Sequence, residues 1–417
     1  LAHCRRESER HPDMLAQLAH RVWEVPETGR DEQEAAQADI RAFADFLREL
    51  ELLVNMDSGQ GNPAGITAVA RWFKSRFDAL GWITELIDVG RETGNCLVVR
   101  NREAAHYDAL LVGHLDTVFP AGETARRPFR RDKHQAYGLG VLDMKQGCLA
   151  MLHVLEQLPP EVSAALNIAA IFNPDEEVGS PWSKALIDTY ARRCDYAYVF
   201  EAASTDGSHC IQRKGRYTGH IQFHGQSGHA GYLLEGGMVS AVNELLYWAG
   251  QLNRHCSAAA GTSVNIGVIR GGQSANIVPD FAEMEFEARY ERIEECERLL
   301  TTIDALKLHA ARANVGVTFV TEKYVPPLEP TVRVLRYAAH IRALSEAHGI
   351  PFAVKKRGGV SDANHIAACG PICVDGLGPT GDFDHSPREY LELSTIQPNL
   401  RFAWLLLQDL ADQKEDI

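Results

Sequence analysis

The chain has 417 residues, of which 45% are hydrophobic, so it can bury the cores of two or three domains and is not a disordered protein. Its formal net charge is −14 and no basic block offsets that charge, which argues against a nucleic-acid partner. No apolar run approaches the roughly 20 residues that span a bilayer, so we expect no membrane partner either.

The cysteines indicate the compartment. There are nine of them, an odd number without a C-x-x-C pair, which is typical of free thiols in a reducing environment. We therefore expect a cytoplasmic protein. The charged opening, LAHCRRESER, lacks the apolar core of a signal peptide, and a sequence that starts at Leu1 leaves room for residues upstream.

The first half of the chain has the pattern of an α/β domain. Residues 1–45 are polar, with a helical tendency around LAQLAHRVW, and we interpret them as an N-terminal extension. Apolar residues at helical spacing then predict a helix from Ala64 that stops at Gly81, and a second helix starts near Met144. The predicted strands between and after them are CLVVR, YDALLVG and LNIAAIF. Alternation of strands and helices predicts a sheet with both faces covered.

The pattern changes near Tyr217. Alternating strands and amphipathic helices now follow in the order β-α-β-β-α-β, which predicts a ferredoxin-like domain. The helix over MVSAVNELLYWAGQLN should bury one face, made of Met238, Ala241, Val242, Leu245, Ala249 and Leu252. PPLEP is the exit linker, after which the α/β pattern resumes. We therefore expect an inserted domain of residues 217–326 within a discontinuous domain of residues 1–216 and 327–417.

Ionisable residues follow the apolar strands of the larger domain. LLVGHLDTVFP, residues 110–120, carries two of them close together, and four further stretches carry the rest. In chain order they are His114, Asp116, Asp143, Glu176, Glu177, Glu201 and His385. Each has an ordinary alternative, such as a helix N-cap for Asp143 or a solvated surface position for His385. Their joint placement at strand ends predicts one site, because ligands gather at the carboxyl ends of strands in open α/β sheets.

The residue types indicate a metal site. Two histidines and several carboxylates suit a first-row dication, zinc above all. Two histidines and three carboxylates would make five ligands, whereas one open catalytic zinc usually has three protein ligands. Five ligands fit two ions about 3.5–4 Å apart that share a carboxylate. Of the adjacent Glu176 and Glu177, one can bind metal while the other takes a proton from a water whose pKa falls to about 7. Asp116 shares a strand face with His114 and can accept its second ring N–H.

Eight motifs, in order, carry a family resemblance. They are GHLDTVFP, GLGVLDMKQG, NPDEEVGS, FEAA, SGHAG, GGQSANIVPD, GGVSDANH and GLGPTGDFDHSPREYL. From about residue 50 onward the chain resembles the di-zinc exopeptidases and deacylases, which include glutamate carboxypeptidase of the carboxypeptidase G type, aminoacylase, acetylornithine deacetylase and succinyl-diaminopimelate desuccinylase. The resemblance implies a phosphorylase/hydrolase-like catalytic domain, with a mixed sheet covered by helices, and an inserted lid that forms a homodimer.

The resemblance also implies a metal set. Asp143 would bridge two zinc ions, with cobalt or manganese as substitutes, and the Asp143–Met144 peptide would be cis. His114 and Glu201 would complete one ion, and Glu177 and His385 the other.

Further roles follow from the same resemblance. Glu176 would be the general base, and His229, Asn276 and Arg289 would hold the substrate, with His229 acting across the dimer. One departure is GGVSD, where the family often has a third glycine and this chain has Val360. The resemblance therefore does not determine the shape of the substrate pocket.

These roles predict a metal-dependent hydrolase that cleaves an amide bond beside a free carboxylate, which the fork of Arg289 would bind. We expect a glutamate carboxypeptidase-type exopeptidase that acts on a small molecule or short peptide, with an N-acyl-amino-acid deacylase of the acetylornithine or succinyl-diaminopimelate type as the alternative. A non-catalytic metal-binding protein is a further alternative, against which the retention of Glu176 argues. The motifs of dinucleotide-binding, serine-hydrolase and H-E-x-x-H enzymes are absent.

Overall fold

The structure, a computed structural model, describes residues 36–90 and 92–415, with side chains from residue 42 to residue 414. The predicted helical tendency around LAQLAHRVW and most of the N-terminal extension lie outside these residues. The chain divides into two compact units. The first comprises the described residues up to Ile211 together with Pro330–Lys356 and Ser361–Ile417, and the second comprises Gln212–Glu329 and Arg357–Val360. Within the described ranges, no helix is both long and apolar enough to span a membrane.

Ten α-helices are described. They are α1 (Ala36–Asn55), α2 (Pro63–Ala79), α3 (Lys145–Glu156), α4 (Pro160–Ala165), α5 (Lys184–Ala191), α6 (Ala241–Asn253), α7 (Ile293–Arg312), α8 (Val332–Ala347), α9 (Asp362–Ala368) and α10 (Ile396–Glu415). Short 3-10 helices span Glu123–Ala125, Glu176–Val178, Ala230–Glu235 and Leu393–Thr395.

Twenty strands are described. The first ten are β1 (Gly59–Gln60), β2 (Ile83–Asp88), β3 (Asn95–Arg100), β4 (Tyr107–His114), β5 (Thr117–Pro120), β6 (Arg130–Arg131), β7 (Gln135–Tyr137), β8 (Ile168–Asn173), β9 (Cys194–Val199) and β10 (His209–Arg213). The others are β11 (Gly215–His224), β12 (Gly228–His229), β13 (Ser263–Gly271), β14 (Ile277–Val278), β15 (Phe281–Tyr290), β16 (Gly316–Val325), β17 (Val354–Arg357), β18 (Ile372–Asp375), β19 (Gly381–Asp382) and β20 (Tyr390–Glu392).

A mixed sheet of eight strands forms the centre of the first unit, in the order β17-β10-β18-β9-β4-β8-β3-β2. Its middle strands β18, β9, β4 and β8 run parallel, whereas β3 pairs antiparallel with β8 and with β2. All residues of β4 and β8 are buried, as expected of strands covered on both faces. The predicted mixed α/β sheet is therefore confirmed.

Helix α2 illustrates how the sequence forms the covering layer. Asn62 caps its first turn by accepting a hydrogen bond from the backbone N–H of Gly65 at 3.0 Å, and Pro63 stands at the first turn, where its missing N–H costs nothing. Ile66, Val69, Phe73 and Phe77 are buried, as their helical spacing predicts.

The second unit has a four-stranded antiparallel sheet in the order β13-β15-β11-β16, with helices α6 and α7 between its strands in the chain. Along β15, Met284, Phe286 and Ala288 are buried and alternate with glutamates, as their period of two predicts.

The predicted buried face of α6 was wrong in two respects. Ser240 caps the helix by accepting a hydrogen bond from the backbone N–H of Asn243 at 3.2 Å, so Met238 precedes it. Val242 is only half-buried, and Trp248 takes its place in the core.

Candidate active site

Three parallel strands deliver side chains to one edge of the central sheet. Strand β4 ends at His114, and β8 leads into the 3-10 helix that begins with Glu176 and Glu177. Strand β9 leads through Phe200 to Glu201. Because β4 runs parallel to both β8 and β9, their carboxyl ends meet there.

The remaining ligand candidates lie on two loops joined by a small sheet. Strand β20 pairs antiparallel with β7, which brings the loop that follows β7 close to the loop that precedes β20. The first loop carries Asp143 and the second carries His385. Met144, rather than Asp143, is the N-cap residue of α3, so the ordinary N-cap alternative for Asp143 does not hold. The Asp143–Met144 peptide is cis, as the resemblance implies.

Asp143 lies between the two histidines and presents one oxygen to each. Its Oδ1 is 2.9 Å from Nε2 of His114, and its Oδ2 is 3.1 Å from Nε2 of His385. Glu201 Oε1 is 3.7 Å from the same nitrogen of His114, and Glu177 Oε2 is 3.2 Å from that of His385. The five candidate ligands therefore form two adjoining sets that share Asp143.

These contacts shift the pKa of each group. Burial lowers the pKa of His114, but hydrogen bonds with Asp116 and Asp143 outweigh it and raise that pKa well above its ordinary value. Hydrogen bonds with Asp143 and Glu177 raise the pKa of His385 to about 11. Burial favours the neutral form of Asp143, yet the two histidines hold its pKa well below the usual range. The acids thus stabilise the protonated, positively charged form of both His114 and His385.

Asp116 has a second set of contacts besides the expected one with His114. The ring Nδ1 of His114 lies 3.4 Å from Oδ1 of Asp116 and 3.0 Å from its backbone oxygen. The Asp116 carboxylate also accepts hydrogen bonds from the backbone N–H groups of Glu176, at 3.2 Å, and Glu177, at 3.1 Å. It orients the 3-10 helix that carries both glutamates.

Glu176 and Glu177 differ in what their side chains contact. Oε1 of Glu177 accepts a hydrogen bond from the backbone N–H of Val118 at 3.1 Å, while Oε2 faces His385. Among the residues that the structure describes, none donates a hydrogen bond to the carboxyl group of Glu176. Burial, with Glu201 and other nearby acids, raises the pKa of Glu176 well above its usual range. This shift is typical of a carboxyl group that exchanges protons.

The donor set fits two cations. Three groups of potential ligands have their ligand atoms within 4.8 Å of one another. They are His114, Asp143 and Glu177; His114, Glu176 and Glu201; and Asp143, Asp384 and His385. The groups overlap and include every predicted ligand, and they add Asp384, which sequence reasoning missed. Imidazole and carboxylate donors in this number suit zinc, and positive charge would offset the crowding of five acids.

Glu389 is a second residue that sequence reasoning missed. It is buried, and its carboxylate accepts hydrogen bonds from the backbone N–H groups of Gly140, Leu142 and Asp143 at 3.0, 2.8 and 3.0 Å. It therefore holds the loop that places Asp143. Its only signal in the sequence is its position four residues after His385, in HSPREYL.

Two further buried charges flank the site. Burial raises the pKa of Asp362 to about 6, and its carboxylate accepts hydrogen bonds from Ser180 and Asn173. Burial lowers the pKa of Lys145 to about 8, and its Nζ donates to the backbone oxygen of Met56 at 2.7 Å.

The predicted substrate-binding residues all lie in the second unit. His229 is on β12, which pairs with β14, and the backbone N–H of Ala230 donates to the backbone oxygen of Asn276 at 3.0 Å. Arg289 lies on β15, where Nε donates to Glu287 at 2.7 Å and Nη1 donates to the backbone oxygen of Gly358 at 3.2 Å. His229 and Asn276 are thus neighbours, whereas Arg289 lies on a different strand.

Two known proteins are similar to this chain in sequence. Carboxypeptidase G2 from Pseudomonas sp. (strain RS-16) is 28% identical over 373 residues, which cover 88% of this chain and 90% of that protein. N-acetyl-L-citrulline deacetylase from Xanthomonas campestris pv. campestris is 27% identical over 258 residues, which cover 59% of this chain and 67% of that protein.

Solved structures share the fold. The aminopeptidase PepT from Bacillus cereus superposes with a TM-score of 0.70 at 21% identity and covers 88% of this chain and 99% of its own. An M20 family metallo-carboxypeptidase from Sulfolobus solfataricus gives 0.61 at 15% identity, covering 88% of this chain and 99% of its own. The model of peptidase family M20/M25/M40 matches residues 110–409. The chain therefore belongs to peptidase family M20/M25/M40, which confirms the family, and with it the metal-dependent hydrolase, that the motifs predicted.

Proposed function

We propose that the chain is a di-zinc hydrolase that cleaves an amide bond beside a free carboxylate, as a glutamate carboxypeptidase-type exopeptidase. The observation that carries the proposal is the placement of Asp143, which presents one oxygen to each of two histidines beside the free carboxyl group of Glu176. When bound, zinc supplies a Lewis acid and lowers the pKa of water to about 7. His114 and Glu201 would hold one ion, and Glu177 and His385 the other.

The residues of this chain would handle the protons. Glu176 takes a proton from the attacking water and delivers it to the leaving amine, because its half-buried carboxyl group, close to other acids, binds a proton readily. Asp116 and Glu389 keep the two loops of the site in place through backbone hydrogen bonds. His229 would donate a hydrogen bond to the oxyanion that forms at the scissile carbonyl.

The substrate class rests on Arg289. Its guanidinium plane is held by Glu287 and by the backbone oxygen of Gly358, so its orientation is set before any ligand binds. A fork of N–H donors matches the two oxygens of a carboxylate. The names of the relatives, a carboxypeptidase and a deacetylase of an N-acetyl amino acid, support a C-terminal amino acid first and an N-acyl amino acid second. The preference for glutamate comes from the resemblance of the motifs to glutamate carboxypeptidase.

The test is a hydrolysis screen on zinc-reconstituted protein, with N-acyl-L-glutamates, other N-acyl amino acids and dipeptides. N-acyl-L-glutamates should be cleaved fastest, and Arg289→Gln should raise KM for them. Arg292→Gln is a matched control, because Arg292 is an exposed arginine of the same unit that pairs with Glu294. Efficient cleavage of substrates without a free carboxylate would contradict the proposal.

We also propose that residues 217–326 act as a lid and form a homodimer, in which His229 serves the partner's site. His229 and Leu234 are exposed, Leu234 almost completely at 99%, so this part of the second unit offers surface for another chain. The test refolds two inactive variants together, His229→Ala and Glu176→Gln. Activity should return in mixed dimers, since a His229→Ala chain keeps its own Glu176 and can borrow an intact histidine. Mixed dimers without activity would overturn the exchange.

Location in the cytoplasm stays a prediction from cysteine usage. None of the eight cysteines among the described residues forms a disulfide, and seven of them are at least partly buried. A direct check is the localisation of the full-length protein in its own cell.

A further inference from the structure

A cavity of about 220 Å³ lies in the first unit, beside the segments that carry two of the candidate ligands. One wall is Tyr137–Leu139, which leads to Asp143, and another is Ser386 and Pro387, which follow His385. Pockets that enclose a whole drug-sized ligand measure about 300–1,000 Å³. This cavity therefore has room for one group of a substrate rather than for all of it.

Its third wall is basic. The segment RRPFRR, residues 126–131, has four arginines in six positions, in a chain whose net charge is −14. Arg126, Arg127 and Arg130 line the cavity, together with Glu389. Glu389 offsets only one of these three positive charges, and its oxygens already accept the three backbone hydrogen bonds of the loop before α3. We call this space the arginine cavity.

The arginines are held in place but keep unused hydrogen-bond donors. Arg126 and Arg127 share one carboxylate, that of Glu123, at 3.3 and 3.1 Å. The guanidinium of Arg127 lies 4.9 Å from the ring centre of Phe119, and that of Arg130 lies 4.1 Å from the ring centre of Tyr137. Nη1 of Arg127 is buried without a hydrogen-bond partner among the described residues. A buried N–H of this kind is stabilised by an acceptor that a ligand can bring.

We propose that the arginine cavity binds a carboxylate on the acyl part of the substrate, so that the enzyme prefers substrates with a second acidic group. The inference rests on the proposed function, which assigns the carboxylate beside the scissile bond to Arg289. Charge and donor geometry both favour a carboxylate, because guanidinium groups bind it through paired N–H donors.

The test compares two substrates that differ in one group. N-succinyl-L-glutamate has a carboxylate where N-butanoyl-L-glutamate has a methyl group. Arg127→Gln should raise KM for the succinyl compound about tenfold, the scale of a lost charge-assisted hydrogen bond, and leave kcat nearly unchanged. KM for the butanoyl compound should not change. Arg127→Lys should recover part of the loss, and Arg130→Gln gives a second variant in case Arg127→Gln folds poorly.

The matched control is Arg131→Gln. Arg131 lies next to Arg130 on β6 and is exposed, but it does not line the cavity, so the charge change is the same and the position differs. Neither substrate should respond to it. An equal rise in KM for both substrates in Arg127→Gln, or no rise for either, overturns the proposal.

A binding measurement separates this proposal from the proposed function. Calorimetry on the zinc-loaded Glu176→Gln protein measures the affinity for intact N-succinyl-L-glutamate without turnover. If the wild-type protein cleaves neither compound, yet Arg127→Gln weakens this binding about tenfold, the proposed function fails and the arginine cavity stands. If both compounds are cleaved and Arg127→Gln leaves the binding unchanged, the arginine cavity fails and the proposed function stands.

Discussion

Charged side chains around the candidate site of the first unit are held differently from those on the sheet of the second unit. In the first unit, carboxylates such as Asp116 and Glu389 are buried and accept hydrogen bonds from backbone N–H groups of distant loops. In the sheet of the second unit, charges pair with each other near the surface. Glu283, for example, pairs with Arg270 at 2.7 Å and with His220 at 3.2 Å.

The difference indicates where chemistry can occur. A buried carboxylate held by backbone donors has a fixed position and, where the surroundings are acidic, a shifted pKa, which are the properties of a catalytic group. An exposed pair is screened by water and contributes little to stability or to chemistry. One exception in the second unit is Glu244, whose buried carboxylate accepts a hydrogen bond from Trp248 and contacts His309, and which links α6 to α7.

Removal of the carboxyl group of Glu176 should have the largest effect. Glu176→Gln should lower kcat about a hundredfold or more, because the variant cannot accept the proton of water. It should still bind two zinc ions per chain in metal analysis. Glu177→Gln is the matched comparison and should lose metal. Loss of metal in Glu176→Gln instead would mean that the roles of the two glutamates are exchanged.

Loss of the hydrogen bonds from the loop of Asp143 to Glu389 should have the next largest effect. Glu389→Gln replaces one acceptor oxygen with an NH2 group that faces backbone N–H donors, so the loop of Asp143 should loosen. Zinc affinity, measured with a competing chelator, should fall about 10- to 100-fold. Glu392→Gln is the control, because Glu392 lies three residues further on, at the end of β20, and accepts its hydrogen bond from Gln135 instead. Unchanged zinc affinity in Glu389→Gln would refute this role.

Asp362 tests the pH dependence that the comparison implies. Its pKa is raised by burial to about 6, so the folded chain holds a proton that the unfolded chain loses near pH 4. The free energy of unfolding should therefore fall as pH rises from about 4 to 6, by roughly 3 kcal/mol from this group. Denaturant unfolding of Asp362→Asn over that range should lack this part of the slope. Parallel curves for the wild type and the variant would contradict the shifted pKa.

The smallest effect should come from the second unit. Arg270→Gln breaks the exposed pair with Glu283, which water already screens, so thermal unfolding should not change measurably. Zinc content and kcat should be unchanged as well. A clear loss of stability would contradict the contrast between the two units, since it would show that exposed ion pairs also stabilise the sheet of the second unit.

Local sequence patterns predict most of the helices and strands and the candidate metal ligands. Period-two and helical patterns predicted the strands and helices of both units, because burial of one face imposes the periodicity. The motifs also identified the histidines and acids that the structure brings together around Asp143. Both kinds of signal are local, since each depends on residues a few positions apart.

The groups that support the site, in contrast, depend on contacts between distant parts of the chain. Glu389 accepts a hydrogen bond from the backbone of Asp143 across 246 residues, and Asp116 holds Glu177 across 61. Arg127 and Ser386, which are far apart in the sequence, line the same cavity. Any polar residue can fill such a role if the fold brings a backbone donor or acceptor to it, so local spacing carries no signal for these contacts. They follow from the pairing of β20 with β7 and from the parallel order of β9, β4 and β8.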